Sequence, residues 1–255
     1  MDTPRYNASE LLICLASRLM EDNTTAFIGT GIPMLAASLA QRMHAPNLVP
    51  IFEFGGTGAI LEKLPLAVGD MRTYNKALHA SGICDIMENA QRGFVEYGFL
   101  GGAQIDRYGN LNSTVIGPQA RPKVRLPGSG GANDVGSSCW RTIAIMRHGK
   151  IRFVPKCDFV TTPGYLSGPG AREAAGLARG TGPYRVVSNL ALMGFHPESK
   201  EMMLLALNPG VTLEQVQAET GFPLHIAADL GVNEPPTDKE LRLLREEIDP
   251  DKLYI

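Results

Sequence analysis

Residues 25–54 limit the possible folds more than any other stretch. Thr25 to Ile28 is a short β-like run that ends in Gly29-Thr30-Gly31. Pro33 then opens the apolar-periodic stretch MLAASLAQRM, at a place where proline's fixed φ suits the first helical turn. His44-Ala45-Pro46 ends it, and Leu48 to Phe54 is the next strand-like run. Strand, glycine turn, helix, strand is a βαβ crossover, which joins parallel strands and places a helix on the sheet's face. The expected class is therefore α/β, a mostly parallel sheet with flanking helices.

The remaining pattern extends this frame. Ser9 to Met20 carries apolar residues at helical spacing, with Asn7 or Ser9 available as the cap. Phe94–Leu100, Ile143–Met146 and Phe153–Thr161 have the character of buried strands. Arg185–Leu192 and Met202–Leu207 flank HPESK and are expected to pair as an antiparallel hairpin. Thr212 caps a short helix to Thr220, and Thr237-Asp238-Lys239-Glu240 fits the capping box of a last helix reaching about Ile248. With no repeat, low-complexity tract or linker, the 255 residues are expected to form a single domain, 1–255.

Composition excludes several classes. A net charge of −2 offers no basic field for nucleic acid or an anionic membrane. No apolar run approaches the roughly 20 residues that span a bilayer. Met1-Asp2-Thr3-Pro4-Arg5 lacks the basic-then-apolar order of a secretory leader. Cys14, Cys84, Cys139 and Cys157 are widely spaced without CxxC, and are expected to be reduced thiols of a cytoplasmic protein.

Four features carry possible chemistry. Gly29-Thr30-Gly31 before a helix suggests phosphate binding, but the third glycine of a dinucleotide fingerprint is missing and Pro33-Met34 fills its place; a tight turn is the better reading. Gly128-Ser129-Gly130-Gly131-Ala132-Asn133 can converge its backbone N–H groups into an anion-binding nest, although a flexible surface loop has the same composition. Asn110 and Asn112 follow a turn at Asp106–Gly109, where asparagine is commonplace. His44, His79, His148, His196 and His225 show no metal-ligand spacing, and Cys139 has no recognisable catalytic partner. The fourth feature is Glu53, a carboxylate between Phe52 and Phe54 at the end of an apolar strand, followed by Gly55-Gly56. It suits a buried ion pair, a cap or an active-site group. Strand ends of α/β sheets are where ligands dock, and desolvation there makes an ionised carboxylate a stronger nucleophile.

Together these stretches resemble one family. FIGTGIPMLAASLA, GGAQIDRYGNLNST, PKVRLPGSGGAN, KCDFVTTPGYLSGPGARE and the closing LLREEIDP are similar, in that order, to the B (small) subunit of class I coenzyme A transferases of the glutaconate type. The resemblance spans nearly the whole chain. It implies the class I coenzyme A transferase fold and a ping-pong transfer of CoA between carboxylic acids. Glu53 is the implied nucleophile, forming first an acyl-glutamyl anhydride and then a glutamyl-CoA thioester. Gly130 and Gly131 would form the oxyanion hole through their backbone N–H groups, with Asn112 as its side-chain donor. Phe54, Gly55, Gly29, Gly31, Ala132 and Asn133 are the implied acyl-CoA contacts. No metal or resident cofactor is implied, because the CoA thioester is the substrate and its free energy is conserved. The family's site lies between two subunits, so an obligate A subunit of similar fold is expected, in an A2B2 or larger assembly.

The chain also departs from the pattern. Many relatives have Ser-Glu-Asn-Gly around the nucleophile, whereas here it is Phe52-Glu53-Phe54-Gly55. The resemblance implies a dicarboxylic or other larger acyl group, and bulky apolar Phe54 favours one larger or less polar than glutaconate. YRVVSNLALMGF and PTDKELRLLREEIDP are similar to a hydrolytic branch of the fold that opens steroid rings, and another branch decarboxylates. Retention of Glu53 favours transfer over hydrolysis or C–C cleavage. A purely structural subunit is the third alternative.

Overall fold

The computed structural model describes residues 5–255, so Met1–Pro4, four of the five residues read against a leader, lie outside it. The βαβ unit is present as expected. Strand β1 (Thr25–Phe27) leads through Gly31 into helix α2 (Ile32–Met43), which returns to strand β2 (Val49–Ile51) parallel to β1. Helix α1 (Ala8–Ser17) precedes them, closed by a capping box in which Asn7 and Glu10 exchange bonds. Alternation along β1 assigns its faces. Ala26 and Ile28 join the core formed with α1, α2 and the C-terminal helix, while Phe27 joins a core on the opposite face.

After β2 the chain turns back into β3 (Gly56–Thr57) and, beyond a 3₁₀ turn at Met71–Tyr74, β4 (His79–Ala80). Helix α3 (Ile83–Gln91) leads to β5 (Tyr97–Leu100). Two small hairpins follow, β6 (Gln104–Ile105) with β7 (Leu111–Asn112) and β8 (Val115–Ile116) with β9 (Val124–Arg125). Helix α4 (Ala132–Ser138) and strand β10 (Arg141–Met146) come next, then α5 (Ala171–Ala174). Strands β11 (Gly182–Ser188), β12 (Ala191–Phe195) and β13 (Met202–Leu207) precede α6 (Leu213–Ala218), capped by Thr212. β14 (His225–Val232) and α7 (Asp238–Arg242, continued as a π turn to Ile248) close the fold, with the Thr237–Glu240 capping box in place.

Ten strands form one sheet in the order β14-β13-β12-β11-β10-β5-β1-β2-β3-β4. Its centre, β11-β10-β5-β1-β2, is parallel; antiparallel pairs extend it on both sides, and β14 then adds to β13 in parallel. No helix among the described residues is long and apolar enough to cross a membrane.

Two expectations need correction. The hairpin around HPESK is built from β12 and β13, because Arg185–Leu192 is not one strand. Ser188 Oγ accepts from the N–H groups of Leu190 and Ala191, and this turn ends β11 and starts β12. Phe153–Thr161 is not a strand. Pro155 cannot donate, and the neighbouring backbone bonds run to separate places, Val154 N–H to Ile105 and Gly221 N–H to Phe153. Phe153 and Cys157 are buried, Val160 is exposed, and no ladder forms.

Candidate active site

Glu53 sits at a corner. The N–H of Gly55 donates to the carbonyl of Phe52 at 3.0 Å, closing a β-turn whose two central residues are Glu53 and Phe54. The turn joins β2 to β3 at the carboxyl end of the parallel strands. Phe52 is completely buried and anchors it, while Phe54 is 47% exposed. Gly55 has φ +126°, and a Cβ there would lie 1.9 Å from the Ser81 carbonyl oxygen, so only glycine fits. The Tyr74 hydroxyl donates to the Phe54 carbonyl and braces the corner from outside.

The second half of the site is the glycine loop before α4. Gly130 has φ +50° and Gly131 φ −78°, the alternation of sign that turns successive N–H groups into one concavity. That concavity holds the carboxylate: Gly131 N–H donates to Glu53 Oε1 at 3.1 Å. The N–H of Gly130 has no acceptor among the described residues. A Cβ on Gly131 would lie 2.6 Å from Glu53 Oε1 and 2.7 Å from Met87 Cε, so the contact depends on glycine.

A cleft of ≈ 220 Å³ opens beside this pair. Its walls are Phe27, Ile28 and Gly29 at the end of β1, Phe99 and Leu100 at the end of β5, Val68, the loop Ser129–Gly131, and Ala132 and Val135 of α4. Apart from Glu53 and Ser129 the wall is apolar or backbone. Convergence at the carboxyl ends of β1, β2 and β5 is where an α/β sheet places a ligand.

The expected site residues divide accordingly. Glu53, Gly130, Gly131, Ala132 and Gly29 meet at the cleft, and Phe54 and Gly55 belong to the turn that presents Glu53. Gly31 lies outside it, capping α2 with φ +83° and facing the Tyr254 ring. The Asn133 side chain donates to the Thr161 carbonyl. Asn112 is the clear correction. It is fully buried; its Nδ2 donates to Gln104 Oε1 and the Val115 carbonyl, and its Oδ1 accepts from the N–H groups of Thr114 and Val115. Both amide protons are used, so it has none to offer a substrate. Val68 and Val135 carried no signal in the sequence, Ser129 was visible only as part of the glycine-rich nest, and Phe99 and Leu100 could have been found from their strand-end position. Cys139 is buried, which pushes its thiol up to about 12 and leaves it unsuited to nucleophilic work.

A half-exposed carboxylate on a strand-end corner, held by a backbone N–H beside an open cleft, has the geometry that acyl transfer requires. The coenzyme A transferase family model matches residues 10–219, and the chain belongs to that family. Its similarity is specific in two cases. It is 37% identical over 241 residues to the B subunit of the 3-oxoadipate CoA-transferase of Pseudomonas knackmussii, covering 94% of this chain and 92% of that one. It is 36% identical over 262 residues to the B subunit of the glutaconate CoA-transferase of Acidaminococcus fermentans, covering 100% and 97%. The crystal structure of the Acidaminococcus fermentans glutaconate coenzyme A-transferase superposes with a TM-score of 0.91, over 100% of this chain and 99% of the other. The cholesterol ring-cleaving hydrolase IpdB subunit of Rhodococcus jostii is 32% identical over 226 residues, 87% of this chain and 83% of that protein.

Proposed function

We propose that this chain is the nucleophile-bearing B subunit of a two-subunit acyl-CoA:carboxylate CoA-transferase. The observation that carries the reading is the Glu53 carboxylate on its turn, with Oε1 on the Gly131 N–H inside an open cleft. Glu53 attacks the thioester carbonyl, the C–S bond breaks, and CoA leaves as thiolate from an acyl-glutamyl anhydride. The thiolate then attacks the Glu53 carbonyl carbon and releases the first acid as its carboxylate. A second carboxylate reverses both steps. One thioester is consumed and one is formed, so the reaction needs neither a resident cofactor nor a metal.

The nest fits the second attack well. Addition of thiolate to the glutamyl carbonyl puts negative charge on a Glu53 oxygen, and Gly131 N–H already lies against Oε1. A donor positioned in advance costs no reorganisation when that charge develops. Each donor of this kind contributes roughly 3 kcal/mol. The Gly130 N–H, free of an internal acceptor, is the second donor.

An A subunit of similar fold supplies the opposite wall, in an A2B2 or larger assembly. The acyl group is a dicarboxylic or other larger one, and Phe54, in place of a small polar neighbour beside the nucleophile, favours one larger or less polar than glutaconate. A weak net charge of −2 and reduced thiols suit a cytoplasmic protein.

The test is co-expression with the A subunit, incubation with a panel of acyl-CoAs, and mass spectrometry of Glu53. A CoA adduct on Glu53, trapped by borohydride with loss of activity, is the expected result. Turnover of acyl-CoA without an acceptor acid and without that adduct would overturn transfer in favour of hydrolysis. Full turnover by this chain alone would overturn the split site.

A further inference from the structure

Helix α4, which places the Gly131 donor, is weak in its own right. Its seven residues, ANDVGSS, include a glycine and two serines; its N-cap residue Gly131 has no side chain to cap it, and Ser129 Oγ accepts from the Asn133 N–H at 3.1 Å. It is held by the neighbouring segment 161–164. Asn133 Nδ2 donates to the Thr161 carbonyl at 3.1 Å, and Thr162 Oγ1 to the Ala132 carbonyl at 3.2 Å. There is no slack between the two, because a Cβ on Gly136 would lie 2.1 Å from Thr162 Cγ2.

The other end of α4 is held by Arg172, a buried guanidinium only 2% exposed. Its Nη2 donates to the Gly136 carbonyl at 3.1 Å, to the Ser137 carbonyl at 3.5 Å and to Thr181 Oγ1 at 2.9 Å. Its Nη1 donates to the carbonyls of Pro163 and Gly164, both at 2.9 Å. Among the described residues no carboxylate lies within ion-pair distance of it, and its Nε is the one buried side-chain nitrogen or oxygen without a partner. Burial lowers its pKa from the ordinary arginine range. A charge buried against carbonyl dipoles alone is costly, and simple packing could be served by an apolar side chain of similar volume. What the guanidinium adds is a bridge from the carbonyl end of α4 to the segment that grips its other end.

We propose that Arg172 is a positioning residue for acyl transfer, clamping α4 to residues 163–164 so that the Gly131 N–H stays on Glu53 Oε1. This rests on Glu53 being the nucleophile. Arg172 makes no hydrogen bond to Glu53 or Gly131 and acts through the short helix whose two ends it and the Gly131 donor occupy. A seven-residue helix is about 10 Å long, so tilting one end displaces the other.

The experiment uses the co-expressed complex as wild type, Arg172→Met, Arg172→Lys and Thr162→Val, with activity expressed per Glu53 that can be trapped by borohydride. Arg172→Met should lower kcat about 100-fold with KM for acyl-CoA nearly unchanged, since displacement by about 1 Å has that effect on positioned groups. Arg172→Lys should lose less, keeping the charge but not the fork. Thr162→Val should lose about tenfold, and decides alone if Arg172→Met does not assemble. Amide exchange at residues 130–138 should quicken in each variant. Unchanged kcat per trapped site, or a loss confined to KM, overturns the proposal. If wild type shows no Glu53 adduct, the nucleophile assignment fails instead. Exchange at 130–138 then still reports the clamp, and unchanged exchange there would overturn it.

Discussion

Gly101–Asn112 and Gly128–Asn133 are both glycine- and asparagine-rich, and the fold treats them in opposite ways. In the first, the side chains of Gln104, Asp106, Asn110 and Asn112 all find internal partners. Asn110 donates to the Asp106 carboxylate and the Leu166 carbonyl and accepts from the N–H groups of Gly164 and Leu166. Burial pushes the Asp106 carboxyl up from the usual carboxylate range, against the pull of its hydrogen bonds from Asn110, Tyr108 and Cys157. In the second, backbone donors are left over, and one meets a carboxylate from a distant turn. Side-chain donors packed into a core are consumed by it. Backbone donors on a loop with too little side chain to cover them remain available for chemistry.

Four experiments would break or sharpen this contrast. Glu53→Ala should abolish transfer, by at least about 10⁴-fold, as loss of a covalent nucleophile does. Because the side chain is half-buried in a cleft, the melting temperature should barely move, and a collapse in stability would show that the carboxylate is structural. Gly131→Ala should lower kcat by about 10²–10³-fold, the effect of losing one oxyanion donor, because the new Cβ displaces Glu53 from the nest. Steady-state kinetics with unchanged kcat would remove the nest from the mechanism.

The next largest effect belongs to the packed side. His148 stacks on Phe153 at 3.9 Å and bonds Ser188 and Thr220, and burial pushes its pKa down to about 4. The unfolded chain then binds a proton that the folded one refuses. Stability is present above about pH 6.5 and falls as pH drops toward 4, by up to about 3 kcal/mol. Denaturant titrations across that range should lose this component in His148→Asn. Asn112→Ala should cost about 2 kcal/mol by leaving its buried partners unpaired, with kcat per trapped Glu53 unchanged. A large kcat loss in a well-folded Asn112 variant would return that residue to the reaction.

Much of this was legible in the chain. The β1-α2-β2 unit, the cap at Thr212 and the capping box at Thr237 depend on local rules that neighbours reinforce. The nest was legible as an option, and family resemblance pointed to Glu53 as nucleophile, but the bond that brings the two together was not. The two-residue strands β3 and β4 were not legible, being too short for any alternation to show. Nor was α4, whose poor helix formers are held by contacts some thirty residues away in sequence. Asn112 misled for a physical reason. Motif position cannot say whether an amide's protons face a cleft or its own hairpin, and here they face Gln104 and Val115.

The bond between Gly131 and Glu53 joins residues 78 positions apart. During synthesis, Glu53 emerges well before the loop that cradles it, and α3 and β5 lie between them in the chain. The nucleophile and its donor therefore meet only after a long loop has closed, an event with an entropic cost that local turns avoid. A chain halted before residue 131 carries the carboxylate without its cradle, so chemical competence arrives late in folding. Reactivity toward acyl-CoA thus doubles as a report that the central sheet has been assembled.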